Sequence, residues 1–242
     1  MYKDFAYIYD KLSFDIPYDF YAQNIKELMQ KHKVKIDRML ELACGSGMLT
    51  KYFFDEFKSI DALDLSKEML EVFDAKFMRN DVTLYQEDMT TFLKEDSYDL
   101  IVILLDSINY VLEENDLRRL FKNSYKNLKK GGLLVFDINS LYKMEEVFGD
   151  NSYIYEYEDI FYTWDNNRED DLIYMYLDFF LENEDGTYRR IKENQVQRIY
   201  RADFIKNELI SLGFEDIETF DEDTFTEVKD NTQRILFKAI KK

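Results

Sequence analysis

The stretch Leu40-Glu41-Leu42-Ala43-Cys44-Gly45-Ser46-Gly47-Met48 joins an apolar run to a short loop that contains glycines. The apolar run predicts a buried strand, and the spacing that follows predicts a helix over about residues 48–57. Because Gly45 and Gly47 carry no Cβ, the loop backbone can approach a bound ligand closely. Open α/β sheets bind nucleotides at such loops, at the carboxyl end of a buried strand. The stretch therefore predicts a binding loop for a nucleotide-like ligand.

Predicted strands and helices alternate along the chain as far as about residue 140. The apolar run at residues 98–105 is typical of a strand that is buried on both faces of a parallel sheet. Gly131-Gly132 is expected to cap the helix that precedes the fifth strand. The predicted strands cover about residues 36–42, 59–64, 82–85, 98–105 and 133–138, and further helices cover about residues 18–33, 66–78 and 116–128. This alternation predicts a Rossmann-like, doubly wound α/β fold.

The pattern changes to a period of two residues in the segment that follows. Tyr153, Tyr155 and Tyr157 alternate with other residues, which is typical of antiparallel strands. Hairpin turns are predicted at Asp165-Asn166-Asn167 and at Glu184-Asp185-Gly186. A helix over about residues 202–212 and strands near 214–220 and 232–240 then return to the first pattern. We therefore predict an inserted, β-rich segment at residues 146–200 and a core of residues 1–145 and 201–242, with an aromatic-rich lid at residues 1–17.

The chain is acidic, with 50 Asp and Glu residues, 32 Lys and Arg residues and a formal net charge of −18. Binding to phosphate backbones depends on clustered basic residues, so this balance disfavours a nucleic-acid partner. The single cysteine excludes an internal disulfide and is typical of the reducing cytoplasm. No leader is apparent, and no apolar run approaches the roughly 20 residues that span a membrane. We therefore expect a cytoplasmic protein with no membrane partner.

The residues around the loop restrict the kind of nucleotide. A dinucleotide-binding fingerprint requires a third glycine where Thr50 stands, and a P-loop requires a lysine where Met48 stands. Asp64 ends the second strand. Its separation from the glycine loop suits a carboxylate that accepts two hydrogen bonds from a ribose. Asp88 ends the third strand and could accept a bond from the exocyclic amine of adenine. No basic residue in the loop could meet a pyrophosphate, so the set fits a nucleoside without phosphates.

These residues resemble the class I S-adenosylmethionine-dependent methyltransferases, to about residue 140 and again over residues 202–242. Glu41, Gly45 and Gly47 match the acidic residue and glycines of the first family motif, while Ala43 replaces its first glycine. An alanine costs little there unless φ must be positive. The stretches around Asp64 and Asp88 look like the second and third motifs, and Gly131-Gly132 looks like the turn that enters the fifth strand.

Residues 5–10 and the Asp106–Tyr110 loop are similar to the small bacterial YqeM-like branch of this family. The resemblance implies a seven-stranded sheet whose last strand is antiparallel, with residues 146–200 forming a cap over the active site. It implies S-adenosyl-L-methionine as the methyl donor and requires no metal. The implied donor-binding residues are Tyr9, Glu41, Ala43, Gly45, Gly47, Asp64, Leu65, Met69, Asp88, Met89 and Leu105, and the implied catalytic residues are Asp106, Asn109 and Tyr110.

Three functions remain open at the level of the sequence. The first is methylation of a small molecule by in-line displacement, in which alignment of the reactants is worth up to roughly 7–11 kcal/mol. The second is methylation of RNA or protein linked to ribosome assembly, and the third is a non-catalytic module that binds the donor. The tyrosine rows at residues 153–176 could form a cap core, a substrate pocket or a dimer surface, so the protein could be a monomer or a homodimer.

Overall fold

The computed structural model describes residues 8–13, 15–183 and 185–242. Residues 1–7 and 14 of the predicted lid, and Glu184 of a predicted turn, lie outside these ranges. The helices are α1 (Tyr18–His32), α2 (Lys67–Phe77), α3 (Glu114–Asn127) and α4 (Ala202–Leu212). The strands are β1 (Arg38–Leu42), β2 (Ser59–Asp64), β3 (Val82–Gln86), β4 (Tyr98–Ile103), β5 (Leu128–Asn139), β6 (Ser152–Tyr157), β7 (Ile160–Glu169), β8 (Leu172–Glu182), β9 (Tyr188–Arg198), β10 (Phe214–Asp221) and β11 (Arg234–Lys241).

Seven strands form one sheet in the order β10-β11-β5-β4-β1-β2-β3. Strands β1 to β5 pair in parallel, whereas β11 runs antiparallel to β5. All six residues of β4 are buried, as the apolar run predicts for a central parallel strand. Helices pack on both faces: α1 covers one face, and α3 and α4 cover the other. The predicted doubly wound sheet with an antiparallel last strand is thereby confirmed.

The predicted helix over residues 48–57 is wrong, because only Thr50–Phe53 is helical and it is a 3₁₀ turn. The Tyr52 amide, for example, donates to the Leu49 carbonyl three residues back, at 3.1 Å. The segment is rich in aromatic residues, which lose side-chain freedom in an α-helix. Burial of Phe53 and Phe57 in the core under α1 fixes this tighter path instead.

Two predicted turns lie inside strands in the structure. Gly131 and Gly132 do not cap a helix: α3 ends at Asn127, and both glycines belong to β5, where the pairing with β4 shifts register. Asp165-Asn166-Asn167 lies inside β7, because the Asn166 side chain is buried and bonds the Asn151 carbonyl at 3.1 Å. The β7–β8 hairpin turns instead at Asp170-Asp171, where Asp170 has φ +52°.

Strands β6 to β9 form a separate antiparallel sheet, which we call the cap sheet (Ser152–Arg198). One face of the cap sheet presents Ile160, Phe179 and Ile191, which pack against Ile8 and against Met69 of α2. The cap sheet is therefore held against the carboxyl side of the first β–α units of the core. No helix within the described residues is long and apolar enough to cross a membrane.

Candidate active site

A cleft of about 790 Å³ opens at the carboxyl ends of β1, β2, β3 and β4. The predicted site residues converge there from loops that are far apart in the chain. Gly47 and Asn109 are the predicted residues that do not line the cleft. Those that do are Tyr9, Glu41, Ala43, Gly45, Asp64, Leu65, Met69, Asp88, Met89, Leu105, Asp106 and Tyr110.

The loop after β1 takes a left-handed path through Ala43, Gly45 and Gly47, whose φ angles are +57°, +53° and +80°. Ala43 thus stands at a position where φ is positive, which costs a residue with a Cβ about 1–2 kcal/mol. Asp64 fixes the loop, since its carboxylate accepts bonds from the Gly45 and Ser66 amides, each at 2.8 Å. Ser66 then caps α2 by accepting a bond from the Met69 amide at 3.2 Å.

Gly47 acts beneath the loop and not in the cleft. A Cβ at this position would lie 2.2 Å from the Phe73 ring of α2. The glycine therefore lets α2 pack close to the loop, while the Gly45 backbone faces the cleft.

Glu41 lines the cleft with a carboxyl group of which one oxygen, Oε2, is unpaired. Its side chain is buried, and Oε2 has no hydrogen-bond partner among the described residues. Burial, reinforced by the nearby charge of Asp64, raises the pKa of Glu41 to about 8. A buried oxygen without a partner is costly unless a ligand supplies a donor. Glu41 therefore fits a cationic group of a ligand.

The described part of the N-terminal segment is tied to the same loop. Ser46 Oγ donates a hydrogen bond of 2.5 Å to Asp10, and Asp10 also forms an ion pair with Lys76 of α2. Tyr9, the preceding residue, lines the cleft, and burial raises the pKa of its hydroxyl. The segment thus places an aromatic residue in the cleft, beside the loop after β1.

Asp106 lies in a strained turn at the end of β4. Leu105 and Asp106 both have positive φ, at +58° and +52°. The carboxylate of Asp106 accepts one bond from Arg234 at 2.6 Å and another from Gln197 of the cap sheet at 2.5 Å. Its amide donates to both oxygens of Asp137, at 3.0 and 3.1 Å. Non-glycine residues persist in such conformations when surrounding contacts over-determine them, often at functional sites.

Arg234 is the centre of a buried charge cluster that adjoins the cleft. Its Nε lies 3.0 Å from Asp137 and 3.4 Å from Glu222, and both of these carboxyls are fully buried. Burial raises the pKa of Asp137 to about 6, although the charge of Arg234 opposes the shift. Burial also raises the pKa of Glu222 well above its usual range, and Asp137 adds to it. The cluster therefore holds fewer negative charges than its composition suggests.

The remaining predicted catalytic residues differ in position. Asn109 is fully buried: its Nδ2 donates to the Arg198 carbonyl and its Oδ1 accepts from the Asn139 amide, each at 2.9 Å. Both ends of its amide are used by the backbone, which favours a structural role for Asn109. Tyr110 stays 42% exposed at the cleft and donates from its hydroxyl to Gln195 of the cap sheet at 2.6 Å.

Sequence reasoning missed Arg234, Gln197, Asp137 and Gln195. Asp137 left a usable signal, since it is a charged residue inside the apolar run of β5. No sequence pattern pointed to Gln195, Gln197 or Arg234, because the residues around them lie outside the motifs of the family.

Within the described residues, one group has the composition of a metal site, namely His32, Asp216 and Glu218. The Lys238 ammonium lies 2.8 Å from Asp216 and 2.9 Å from Glu218, and it also contacts His32 at 3.1 Å. A lysine thus occupies the position of a cation in this group, which lies outside the cleft.

Together these features define an α/β protein with its cleft at the carboxyl edge of a parallel sheet, the place where such folds bind nucleotide-like ligands. The chain matches the family described as "Methyltransferase domain" over residues 39–132. YqeM of Bacillus subtilis (strain 168), named as a methyltransferase without a stated acceptor, is 32% identical over 100% of this chain and 97% of its own. The crystal structure of an S-adenosylmethionine-dependent methyltransferase from Clostridium acetobutylicum ATCC 824 matches with a TM-score of 0.90 and 35% identity, covering 99% of this chain and 98% of that one. The chain therefore belongs to the S-adenosylmethionine-dependent methyltransferases, in the branch that includes YqeM.

Relatives that match about half of this chain carry names with different acceptors. A Streptomyces venezuelae protein, 28% identical over 55% of this chain and 56% of its own, is a dTDP-3-amino-3,4,6-trideoxy-alpha-D-glucopyranose N,N-dimethyltransferase. A Bacillus anthracis protein, 27% identical over 50% of this chain and 48% of its own, is a malonyl-[acyl-carrier protein] O-methyltransferase. The acceptor therefore differs among relatives at this level of identity.

Proposed function

We propose that this methyltransferase transfers the methyl group of S-adenosyl-L-methionine to a small-molecule acceptor by in-line displacement. The observation that carries the proposal is one cleft, of about 790 Å³, in which donor-type residues meet Gln195 of the cap sheet. A volume of this order suits a nucleoside-sized donor together with a small acceptor. The relatives that match about half of this chain are named for a sugar nucleotide and for a carrier-bound malonyl group, which is consistent with a compact acceptor group.

The residues of the donor side fit S-adenosylmethionine. The donor supplies an electrophilic methyl group on a sulfonium, with a thioether as its leaving group. Asp64 would accept hydrogen bonds from the ribose hydroxyls, and Asp88 would accept one from the adenine amine. Glu41, whose Oε2 is buried without a partner, would pair with the cationic amino group of the donor. With this assignment, the bound donor supplies the hydrogen-bond partner that Oε2 lacks within the protein.

Other residues of the cleft would offer apolar and aromatic surface to the donor. Leu65 is 70% exposed and Met89 is half-buried, so both offer apolar surface where an adenine would lie. The ring of Tyr9 can stabilise a sulfonium by about 0.5–2 kcal/mol through its π face. The chain's part in the reaction is then to align acceptor and methyl and to exclude water, a contribution of up to roughly 7–11 kcal/mol.

Calorimetric titration tests the donor site, with S-adenosylhomocysteine as the probe so that no turnover occurs. We expect the wild type to bind with an affinity in the micromolar range or tighter and Asp64→Ala to bind at least about tenfold more weakly, because the ribose loses its acceptor. Asp81→Ala is the matched control: Asp81 pairs with Arg79 before β3, at the opposite edge of the sheet. Equal affinities of Asp64→Ala and the wild type would refute the assignment.

Two other functions predict different results. An RNA methyltransferase should bind RNA with an affinity that falls steeply with salt, which the net charge of −18 disfavours. A non-catalytic module should bind the donor without consuming it.

The buried single cysteine, Cys44, needs no oxidising compartment, which fits the proposed cytoplasmic setting for a small-molecule enzyme.

A further inference from the structure

The cleft has a second end, which the donor assignment does not use. We call it the acceptor end and define it by Asp106, Tyr110, Gln195 and Arg234, all of which line the cleft. These residues come from the loop after β4, from strand β9 of the cap sheet and from strand β11. The chemistry of this end restricts which nucleophile it can take.

Asp106 is held as a hydrogen-bond acceptor. Both groups that contact its carboxylate are donors: the Arg234 guanidinium at 2.6 Å and the Gln197 amide nitrogen at 2.5 Å. Gln197 cannot turn its amide around, because its Oε1 accepts a bond of 2.9 Å from Asn139. Each carboxylate oxygen has lone pairs beyond these bonds. A ligand that reaches Asp106 must therefore bring a donor hydrogen.

The charges around Asp106 disfavour an anionic acceptor. Arg234 already pairs with the Asp106 carboxylate at 2.6 Å and lies against the carboxyl groups of Asp137 and Glu222, so its guanidinium is engaged by the protein. A carboxylate or phosphate brought to this end would face Asp106 at short range and would lose its water. The titratable groups that face Asp106 from its own and neighbouring elements are Tyr9, Tyr110, Asp137, Lys143, Glu222 and Arg234.

No strong base lines the acceptor end among the described residues. A guanidinium cannot accept a proton, and the Asp106 carboxylate is already bonded to two donors, Arg234 and Gln197. The Tyr110 hydroxyl donates its hydrogen to Gln195 at 2.6 Å, so the phenol is held as a donor and not as a base. A nucleophile with its own free lone pair is therefore required.

We propose, on the basis of the function proposed above, that the acceptor is a primary or secondary amine whose N–H donates a hydrogen bond to Asp106. The amine gives one proton to water on binding and enters as the free base. Its lone pair forms the N–CH₃ bond while the S–CH₃ bond breaks and leaves its electron pair on sulfur. The methylated product departs as an ammonium ion, so one proton is released to water and the enzyme needs no base.

The test uses a metabolite extract of Bacillus subtilis, the organism of a full-length relative, and S-adenosylmethionine labelled in its methyl group. One half of the extract is first treated with an amine-selective acetylating reagent. We expect label transfer to fall at least about tenfold after this treatment, because an amide nitrogen has no available lone pair. Labelled products should bind a cation exchanger at neutral pH and survive mild alkali. Transfer that persists after acetylation, or a label released by mild alkali as from an ester, would overturn the amine assignment.

Paired variants connect the result to Asp106. With the untreated extract as probe, we expect Asp106→Asn to lower label transfer at least about tenfold, since its amide presents a donor where the amine needs an acceptor. Its affinity for S-adenosylhomocysteine should remain within about twofold. Asp178→Asn is the matched control, because Asp178 forms a similar pair with Arg190 on the outer face of the cap sheet. Unchanged transfer by Asp106→Asn would contradict the proposed contact.

The two proposals fail in distinguishable ways. If the wild type does not bind S-adenosylhomocysteine, the proposed function is wrong and the amine inference falls with it. If the wild type binds the probe and transfers label to an acceptor that acetylation does not block, the methyltransferase function stands and only the amine inference is refuted.

Discussion

Glu41 shows how a single residue can oppose stability and serve binding. Its carboxyl is buried, and its pKa rises from 4.5 to about 8. The folded protein therefore holds this proton more tightly than the unfolded chain does. Stability from this group is present below pH 4.5 and is lost as the pH rises toward 8. The proposed pairing of Glu41 with the cationic amino group of the donor would account for a carboxyl kept in such a place.

We expect Glu41→Gln to raise the free energy of unfolding at pH 8 by about 4 kcal/mol, because the amide cannot ionise. The same substitution should weaken binding of S-adenosylhomocysteine at least about tenfold, since an amide cannot pair with an ammonium. Urea denaturation at pH 5 and pH 8 and calorimetric titration measure both effects. At pH 5 the stability of wild type and variant should nearly coincide. A variant that is less stable than the wild type at pH 8 would show that Glu41 is not a destabilising residue.

The two loop glycines should respond differently to the same change. Both have positive φ, but a Cβ at Gly47 would overlap the Phe73 ring, whereas a Cβ at Gly45 would meet nothing within 4 Å. We expect Gly45→Ala to lower the free energy of unfolding by about 1 kcal/mol through backbone strain. Gly47→Ala should lower it by about 3 kcal/mol, because overpacking is added to strain. Equal losses in urea denaturation would argue against close packing of α2 on the loop.

At the scale of elements, the sheet is tied together by a charge network at the start of its strands. Asp61 of β2 is buried and accepts bonds from Arg38 of β1 at 2.8 Å and from Lys94 at 2.9 Å, and it also accepts one from the Tyr98 hydroxyl of β4. The network links three neighbouring strands. A buried carboxylate with these partners cannot be neutralised without leaving donors unmatched.

Asp61→Asn should therefore destabilise the protein by about 2–3 kcal/mol while leaving S-adenosylhomocysteine affinity within about twofold, because Asp61 does not line the cleft. The matched control is Asp37→Asn: Asp37 pairs with Lys58, and both side chains are largely exposed. We expect Asp37→Asn to lower the free energy of unfolding by less than about 0.5 kcal/mol. Chemical denaturation compares the two. A loss as small as that of the control would mean that the network does not hold the strands.

The elements themselves were predictable to different degrees. Strands β1 to β5 and helices α1, α2 and α3 follow from periodicity, since burial on one or both faces leaves a regular pattern in the sequence. The 3₁₀ turn at Thr50–Phe53 did not follow, because its spacing of apolar residues resembles that of a short α-helix. The sequence favoured a solvated turn at residues 169–171 but placed the hairpin turn at residues 165–167, since Asn166 looks like a turn residue until its bonds within the sheet are known.

At the scale of the whole molecule, the question is whether residues 146–200 fold with the core. The cap sheet packs Ile160, Phe179 and Ile191 against core residues, and Gln197 bonds both Asp106 and Asn139. Shared apolar contacts and shared hydrogen bonds both favour cooperative unfolding. The division into core and cap would then describe topology and not independent stability.

Trp164, the single tryptophan, makes this testable because it lies in the cap sheet and packs against Phe148 with ring centroids 5.1 Å apart. We expect tryptophan fluorescence and far-ultraviolet circular dichroism to give the same urea midpoint, since cap and core lose their contacts together. Replacing Phe179 with Ala should shift both midpoints to lower urea by the same amount. A fluorescence transition that precedes the circular dichroism transition would show that residues 146–200 unfold separately.

The sequence by itself determined the order of the core elements, the donor loop and the position of Asp64. These depend on local rules, namely the periodicity of burial and the need for a flexible backbone and a carboxylate after adjacent parallel strands. Only the tertiary structure decided the acceptor end. Arg234 and Gln197 reach Asp106 across 128 and 91 residues of chain, and their contact depends on the place of β11 beside β5 and on the docking of the cap sheet. No local pattern records such pairings, because each partner alone is an ordinary polar residue on a strand.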